Sequence, residues 1–397
     1  MPEPVPVLVS ARRTPIGKFM GGFQSVPAPA LAAAAAKAAL ADAGVKPEEV
    51  DEALFGHGRQ AGNGPNTARQ ASIRAGLPDA VPAWTINKAC ASGLQAIVSA
   101  GERIRLGEAK IVVAGGMENM SRTPFMLPRF RDGYRLGNGE VMDGMYLDGF
   151  LCPMSNLLMG QTAEKLARLK GIGRQAQDEF AVQSQLKCEA ARKAGRFTDE
   201  IVPLEGRGAD GKPAPISTDE HPRDGAKIES LAKLPPVFEK DGSIHAGNSS
   251  GITDGGAAVV VMAEEEAAKR GLKPLARLLA ATTAGVDPSI MGIGPVPAIQ
   301  KLLARLGGTM DQFDLIELNE AFAAQVLACH HDLPLPMDRL NVNGGSIALG
   351  HPIGATGARI VVTMLHEMRR RKVRRGLATL CISGGMGMAV AFEAVQG

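Results

Sequence analysis

Aromatic residues are scarce in this chain: one Trp, two Tyr and 12 Phe among 397 residues, 4% in all. A core short of rings has to be packed from aliphatic and small side chains, which favours α/β layers whose backbones approach closely. Cysteine is sparse too. Cys90, Cys152, Cys188, Cys329 and Cys381 are odd in number and no two stand in a CxxC spacing, which argues against a disulfide framework or a zinc site. A reducing cytoplasm is the compartment such usage implies. No apolar run reaches the length of a membrane span. Nothing like a secretory signal precedes the first strand-like run, VPVLVSA, and the closing FEAVQG carries no lipidation or retention signal. Nor is there an excess of one charge. The formal net charge is +3, too little to imply a nucleic-acid partner. The densest basic run, Arg369 to Arg375, follows a helical pattern and reads as a solvated helix end, where cations suit the macrodipole.

What is present is glycine, 48 residues of it, and alternation. VLVSARRTP reads as a buried strand, PALAAAAAKAALADAGV as a helix with a glycine stop, and EVDEALFGHG and VPAWTINKAC as two more strands. Leu94, Ile97, Val98 and Ile104 share a helical face, and AKIVVAGGMENMS is an apolar strand ending in a glycine turn. This is the pattern of a sheet covered by helices on both faces. The segment from Ser121 to Met159 breaks it, being rich in Gly, Met, Arg and Asp. Irregular insertions of that length usually serve function or assembly. After it the pattern returns. TIN opens one half and NVN the other, and each half closes on an apolar strand running into Gly-Gly-Met. The chain reads as two similar α/β halves, with residues 1–120 and 246–272 forming the first, 121–245 inserted into it, and 273–397 forming the second.

Several residues could carry chemistry. Cys90 lies in INKACASGL, before a helical pattern and among small neighbours that leave the sulfur approachable. A thiol at a helix start feels the positive end of the dipole, which lowers its pKa; an inert buried cysteine is the equally open alternative. His351 lies in GGSIALGHPIGATGAR, where glycines at high density imply tight turns and close backbone approach around a functional imidazole. Cys381 ends LATLC before ISGGMG, and Asn319 and Glu320 sit in NEAFAA where a strand meets a helix; each taken alone has a structural reading as good as a functional one. A dinucleotide site is excluded by the lack of a GxGxxG opening the first helix, and no P-loop is present.

Taken together and in order, NKACASGL, NEAFA, GGSIALGHPIGATGAR and CISGGMGMA resemble the thiolases, and the likeness runs from VSARRTPIGKFMGGF to the end of the chain. The resemblance implies the thiolase fold: two βαβαβαββ halves in a five-layered α/β arrangement, with a loop domain inserted in the first. It implies Cys90 as the acylated nucleophile, His351 as the base that also helps hold the thioester oxygen, and Cys381 as the proton carrier. It implies Asn319 as holder of a water in one oxyanion hole, and the backbone N–H groups of Cys90 and Ser383 as the other. Ser250 matches a pantetheine contact, and Arg223 and Ser230 match positions near the coenzyme A nucleotide. The resemblance further implies acyl-CoA and coenzyme A as co-substrates, no permanently bound cofactor or metal, and a homo-oligomer, either a dimer or a dimer of dimers.

Three positions depart from common family residues. Leu158, before Met159 and Gly160, stands where acetoacetyl-CoA-forming members often carry histidine, which argues against narrow acetoacetyl-CoA specificity. His245 stands where threonine is common and bears on the coenzyme A pocket. Ser383 replaces glycine, a mild change because the contact there is backbone. The expected reaction is thiolytic cleavage of a 3-ketoacyl-CoA or its reverse, with a biosynthetic acetyl-CoA acetyltransferase as the alternative inside the family. Outside it stand a decarboxylating ketoacyl synthase, in which Cys381 would have no task, and a silent CoA- or lipid-binding relative, against which both retained cysteines, Asn319 and His351 argue.

Overall fold

The computed structural model describes residues 3–395. Strands β1 (Pro6–Arg13), β2 (Glu52–His57), β3 (Ala83–Ile86), β4 (Ile111–Asn119) and β5 (Thr253–Ala263) form the first half-sheet. Strands β6 (Ala276–Gly285), β7 (Leu315–Leu318), β8 (Arg375–Ile382) and β9 (Met386–Glu393) form the second. The order across both is β7-β8-β9-β6-β1-β5-β4-β2-β3, joined where β1 meets β6 through Val7–Arg277 and Leu8–Ala276. The two halves repeat one pairing scheme. In each, the first strand lies antiparallel to the last, the last lies antiparallel to the one before it, and that one lies parallel to its other neighbour. The first half has a further parallel strand, β3, paired with β2. In the second half this strand is reduced to one bridge between Ile316 and Leu340, just before the NVN that the sequence aligns with TIN. All nine residues of β4, and β5 from Thr253 to Met262, are buried, as uninterrupted apolar strands covered on both faces should be.

Helices α1 (Ala28–Asp42), α2 (Thr67–Ala75), α3 (Ser92–Arg105), α4 (Met159–Lys170), α5 (Arg174–Lys193), α6 (Pro295–Leu306), α7 (Ala323–Asp332) and α8 (Ile353–Arg371) complete the layers. The largest apolar core joins α3 and α8 to both half-sheets, through Leu94, Ile97, Ile360 and Val361 between Leu8 and Val112 on one side and Leu380 and Phe392 on the other. Outside, α1 and α2 cover the first half-sheet, and α6 and α7 cover the second. The order is therefore helices, sheet, helices, sheet, helices. The middle layer is thin because α3 and α8 meet at glycine. A Cβ on Gly93 would stand 2.9 Å from both Gly354 O and Ala358 N, and one on Gly357 would stand 2.4 Å from Leu94 N. Any larger side chain would push these helices apart.

The segment between β4 and α4 holds two-residue strands, a short 3-10 turn and a five-residue π-helical turn, Tyr146–Phe150, and it leaves Phe125 and Phe130 68% exposed and Leu136 98% exposed. The basic run meets nearby acids: Arg370 and Arg371 pair with Glu367 in the last turns of α8, and Arg374 and Arg375 pair with Glu393 at the end of β9. No helix among the described residues is long and apolar enough to cross a membrane.

Candidate active site

Cys90 sits in the tight link between β3 and α3. Ala89 before it adopts φ +46°, a left-handed conformation that costs a side-chain-bearing residue on the order of 1 kcal/mol or more. The link is tied down on both sides. Asn87 Oδ1 accepts from Ala89 N at 3.0 Å, Ser92 Oγ donates to Ala89 O at 2.6 Å, and Ser92 Oγ accepts from Lys88 N at 2.9 Å. His351 sits in the equivalent link before α8, its N–H donating to Gly251 O at 3.0 Å. Because α3 and α8 cross at Gly93 and Gly357, the two links open onto the same cavity, of about 490 Å³. Cys381, at the end of β8, and Ser383, in the turn to β9, reach it from the second half-sheet. Gly384 and Gly385, at φ +89° and +83°, make that turn possible.

Hydrogen bonds fix the imidazole's protons. Thr356 Oγ1 donates to Pro352 O at 3.0 Å and stands 2.6 Å from His351 Nδ1. The hydroxyl's one proton is committed to the carbonyl, so Nδ1–H donates to the hydroxyl and Nε2 is left with a lone pair. Burial, then the charges of Arg359 and Arg59, hold the His351 pKa down at about 3. The ring is neutral at physiological pH and able to take a proton.

The thiol departs from its expected titration. The dipole argument has Cys90 acidified, but burial raises its pKa above the ordinary thiol value, against the lowering effect of the Ser383 backbone N–H, Arg59 and its own N–H. Cys90 also precedes the first helical residue by two positions, Ala91 being the N-cap, so the dipole acts weakly there. Alkylation of the free protein by iodoacetamide at Cys90 is expected to be slow at neutral pH and to climb as pH rises through and past the ordinary thiol range. A plateau reached by about pH 7, well below the reference thiol pKa, would contradict a protonated resting thiol. Cys381 is fully buried, and burial followed by its proximity to Cys90 pushes its pKa well up.

Asn319 follows β7 and is anchored by its N–H to Thr379 O at 3.0 Å. Arg359 Nη2 donates to Ser346 Oγ at 2.8 Å, which directs the serine proton onto Asn319 Oδ1 at 2.6 Å. Asn319 is not among the residues lining the cavity, but its Nδ2 is buried without a protein partner and is left a free donor. Glu320 accepts from Ser184 Oγ, Asn341 Nδ2 and Ile347 N at 2.6, 2.8 and 3.1 Å, a bracing role inside the protein.

Leu158, Met159, Ser250 and Arg223 line the same cavity. Ser230 is exposed and lies outside it. His245 is corrected: it is 1% exposed, does not line the cavity, and is held with Nε2 2.7 Å from Asp178 Oδ1 and Nδ1 accepting from Gly247 N at 3.0 Å. The ring braces the segment before Ser250. The sequence reading missed Arg59, Phe150 and His221, which also line the cavity. His221 Nδ1 meets Ala348 O at 2.8 Å. Its place beside Arg223 was the available signal, whereas Arg59 was visible only as a charge inside the glycine turn GHGRQAG.

Family comparison agrees with this architecture. Residues 6–265 match the thiolase N-terminal domain and residues 272–394 the thiolase C-terminal domain. An acetyl-CoA acetyltransferase of Cupriavidus necator is 53% identical over 387 residues, 98% of each chain. The crystal structure of the Bacillus anthracis acetyl-CoA acetyltransferase superposes with a TM-score of 0.97 at 45% identity, over 99% of this chain and 100% of that one. Human mitochondrial 3-ketoacyl-CoA thiolase in complex with CoA superposes with a TM-score of 0.94 at 41% identity, over 99% and 98%. With both halves matched and relatives aligned end to end, this chain belongs to the thiolase family.

Proposed function

We propose that the protein cleaves 3-ketoacyl-CoA with coenzyme A to acetyl-CoA and a shortened acyl-CoA, or runs the reverse condensation. The observation that carries this is the convergence of Cys90, His351 and Cys381, from three separated segments, on one cavity with the Ser383 amide against the Cys90 sulfur. His351 Nε2 takes the Cys90 proton as the sulfur attacks the ketone carbon. The Ser383 and Cys90 amides and an Asn319-held water stabilise oxyanions. The bond between the ketone carbon and the α-carbon breaks, and Cys381 protonates the departing acetyl-CoA enolate. Cys381 then takes the proton of an incoming coenzyme A thiol, whose sulfur displaces the acyl group from Cys90, and the protonated His351 returns its proton to the departing Cys90 sulfur. Two cysteines are needed because an acylated nucleophile has no proton left to move. Arg223 and Ser250 fit a coenzyme A path into the cavity, and coenzyme A serves as co-substrate. Exposure to acetyl-CoA followed by peptide mapping is expected to place one acetyl group on the peptide containing Cys90; finding it on Cys381 would reverse the roles.

The acyl group is proposed to be longer than acetoacetyl. Leu158 and Met159 present apolar side chains where a polar one would favour a short substrate, and each buried methylene contributes up to about 0.8 kcal/mol. Leu158→His is expected to shift the kcat/KM ratio toward acetoacetyl-CoA and away from a medium-chain 3-ketoacyl-CoA. A native preference for the short substrate beyond about a hundredfold, roughly 2.7 kcal/mol, would exclude the longer-chain reading. The assembly proposed is a cytoplasmic dimer or dimer of dimers, supported by the apolar side chains exposed between β4 and α4.

A further inference from the structure

One charge at the cavity has no task in this chemistry. Arg59 follows β2, lines the cavity and is only 5% exposed. Its guanidinium lies over the Phe150 ring, 5.0 Å from the ring centre, and donates through Nη1 to Asp148 O at 3.3 Å. Its Nε and Nη2 are buried without a partner. No carboxylate among the described residues forms an ion pair with the guanidinium. The adjacent acid, Glu118, is already occupied: it accepts from Gly58 N, Arg59 N and Gly354 N at 3.1, 3.1 and 2.9 Å and stands 3.2 Å from His57 Nε2.

Glu118 acts on the guanidinium only at a distance, a buried cation with no direct ion pair is costly, and the neutral Asp148 carbonyl at 3.3 Å is a weak partner that a carboxylate would outcompete. Room for the guanidinium is also built in. A Cβ on Gly149 would stand 1.9 Å from Arg59 Cζ, so glycine is what lets the side chain lie there. Phe150 beside it and Leu158 elsewhere in the cavity lining are apolar, so a chain can run along the cavity and end at the charge.

We propose that Arg59 selects the acyl group, and that the substrate class is a 3-ketoacyl-CoA whose chain ends in a carboxylate, paired with the Arg59 guanidinium. This rests on the thiolase reading and narrows its substrate. The methylenes lie against apolar walls and the terminal charge meets the fork.

The test is thiolysis by the full-length protein of two substrates of equal chain length, 3-oxohexanoyl-CoA and 3-oxoadipyl-CoA, with acetoacetyl-CoA beside them. Native protein is expected to favour the carboxylate-ended substrate in kcat/KM by roughly tenfold or more, the scale of a desolvated charge-assisted pair. In Arg59→Leu the ratio between the two should fall to about one or below, whatever loss the two share, and Arg59→Lys should keep part of it. Native preference for the methyl-ended substrate, or a ratio unchanged in Arg59→Leu, overturns the proposal; the native ratio decides alone if the leucine variant does not fold. Cleavage of acetoacetyl-CoA without preference for the carboxylate defeats this inference and leaves the thiolase reading standing. Failure to cleave any of the three defeats both.

Discussion

Cys90→Ala is expected to reduce turnover of every 3-ketoacyl-CoA by about 10⁴-fold or more, the scale on which loss of a covalent nucleophile is felt. It should also abolish acetyl labelling. No neighbouring thiol can take over. Cys381 is fully buried with its pKa pushed well up, and it approaches from the opposite half-sheet. The fold should survive, because Cys90 is half-buried and the link is held by Asn87, Lys88 and Ser92 rather than by the sulfur. Turnover measured beside thermal melting checks both statements. A variant that melts as the native protein does and retains more than about a hundredth of its activity, a loss no larger than one acid–base group explains, would show that the acyl group is not carried there.

Cys381→Ala should separate two stages that Cys90→Ala removes together. In the proposed mechanism acetyl loading from acetyl-CoA uses Cys90 and His351. Protonation of the enolate and activation of the second thiol are the steps it assigns to Cys381. Steady-state thiolysis is therefore expected to fall by about 10²- to 10⁴-fold, the usual worth of a positioned acid–base group, while single-exposure acetyl loading stays within a few-fold of native. Equal collapse of loading and turnover would refute this division of labour.

The layering was legible in the sequence through the alternation of strand and helix patterns, among them the mostly apolar run of β4, whereas β5, equally buried, was not singled out. The pairing of TIN with NVN exposed the duplication, although the second half keeps only the Ile316–Leu340 bridge where the first has a strand. That His351 and Cys381 would meet Cys90 at one cavity was suggested by the glycine-rich segments around them. The titration of Cys90 was not legible, because local position suggests acidification while burial, supplied by distant segments, decides the direction. His245 misled for the same reason: its partner, Asp178, comes from α5, 67 residues away. Arg59 went unseen because its meaning depends on Phe150 and Gly149, which no spacing rule connects to it.

The crossing of α3 and α8 at Gly93 and Gly357 bears on how the activity is inherited. Neither glycine lines the cavity, and neither has a group that reacts. Yet the thickness of one methyl at either position would separate the thiol from the imidazole, and a misplacement near 1 Å can cost about a hundredfold in rate. A descendant with every reactive side chain intact could therefore be inert through one alanine at this crossing. Surveys that score only cysteines, histidine and asparagine would count it as active; these two glycines are the better marker of a living lineage.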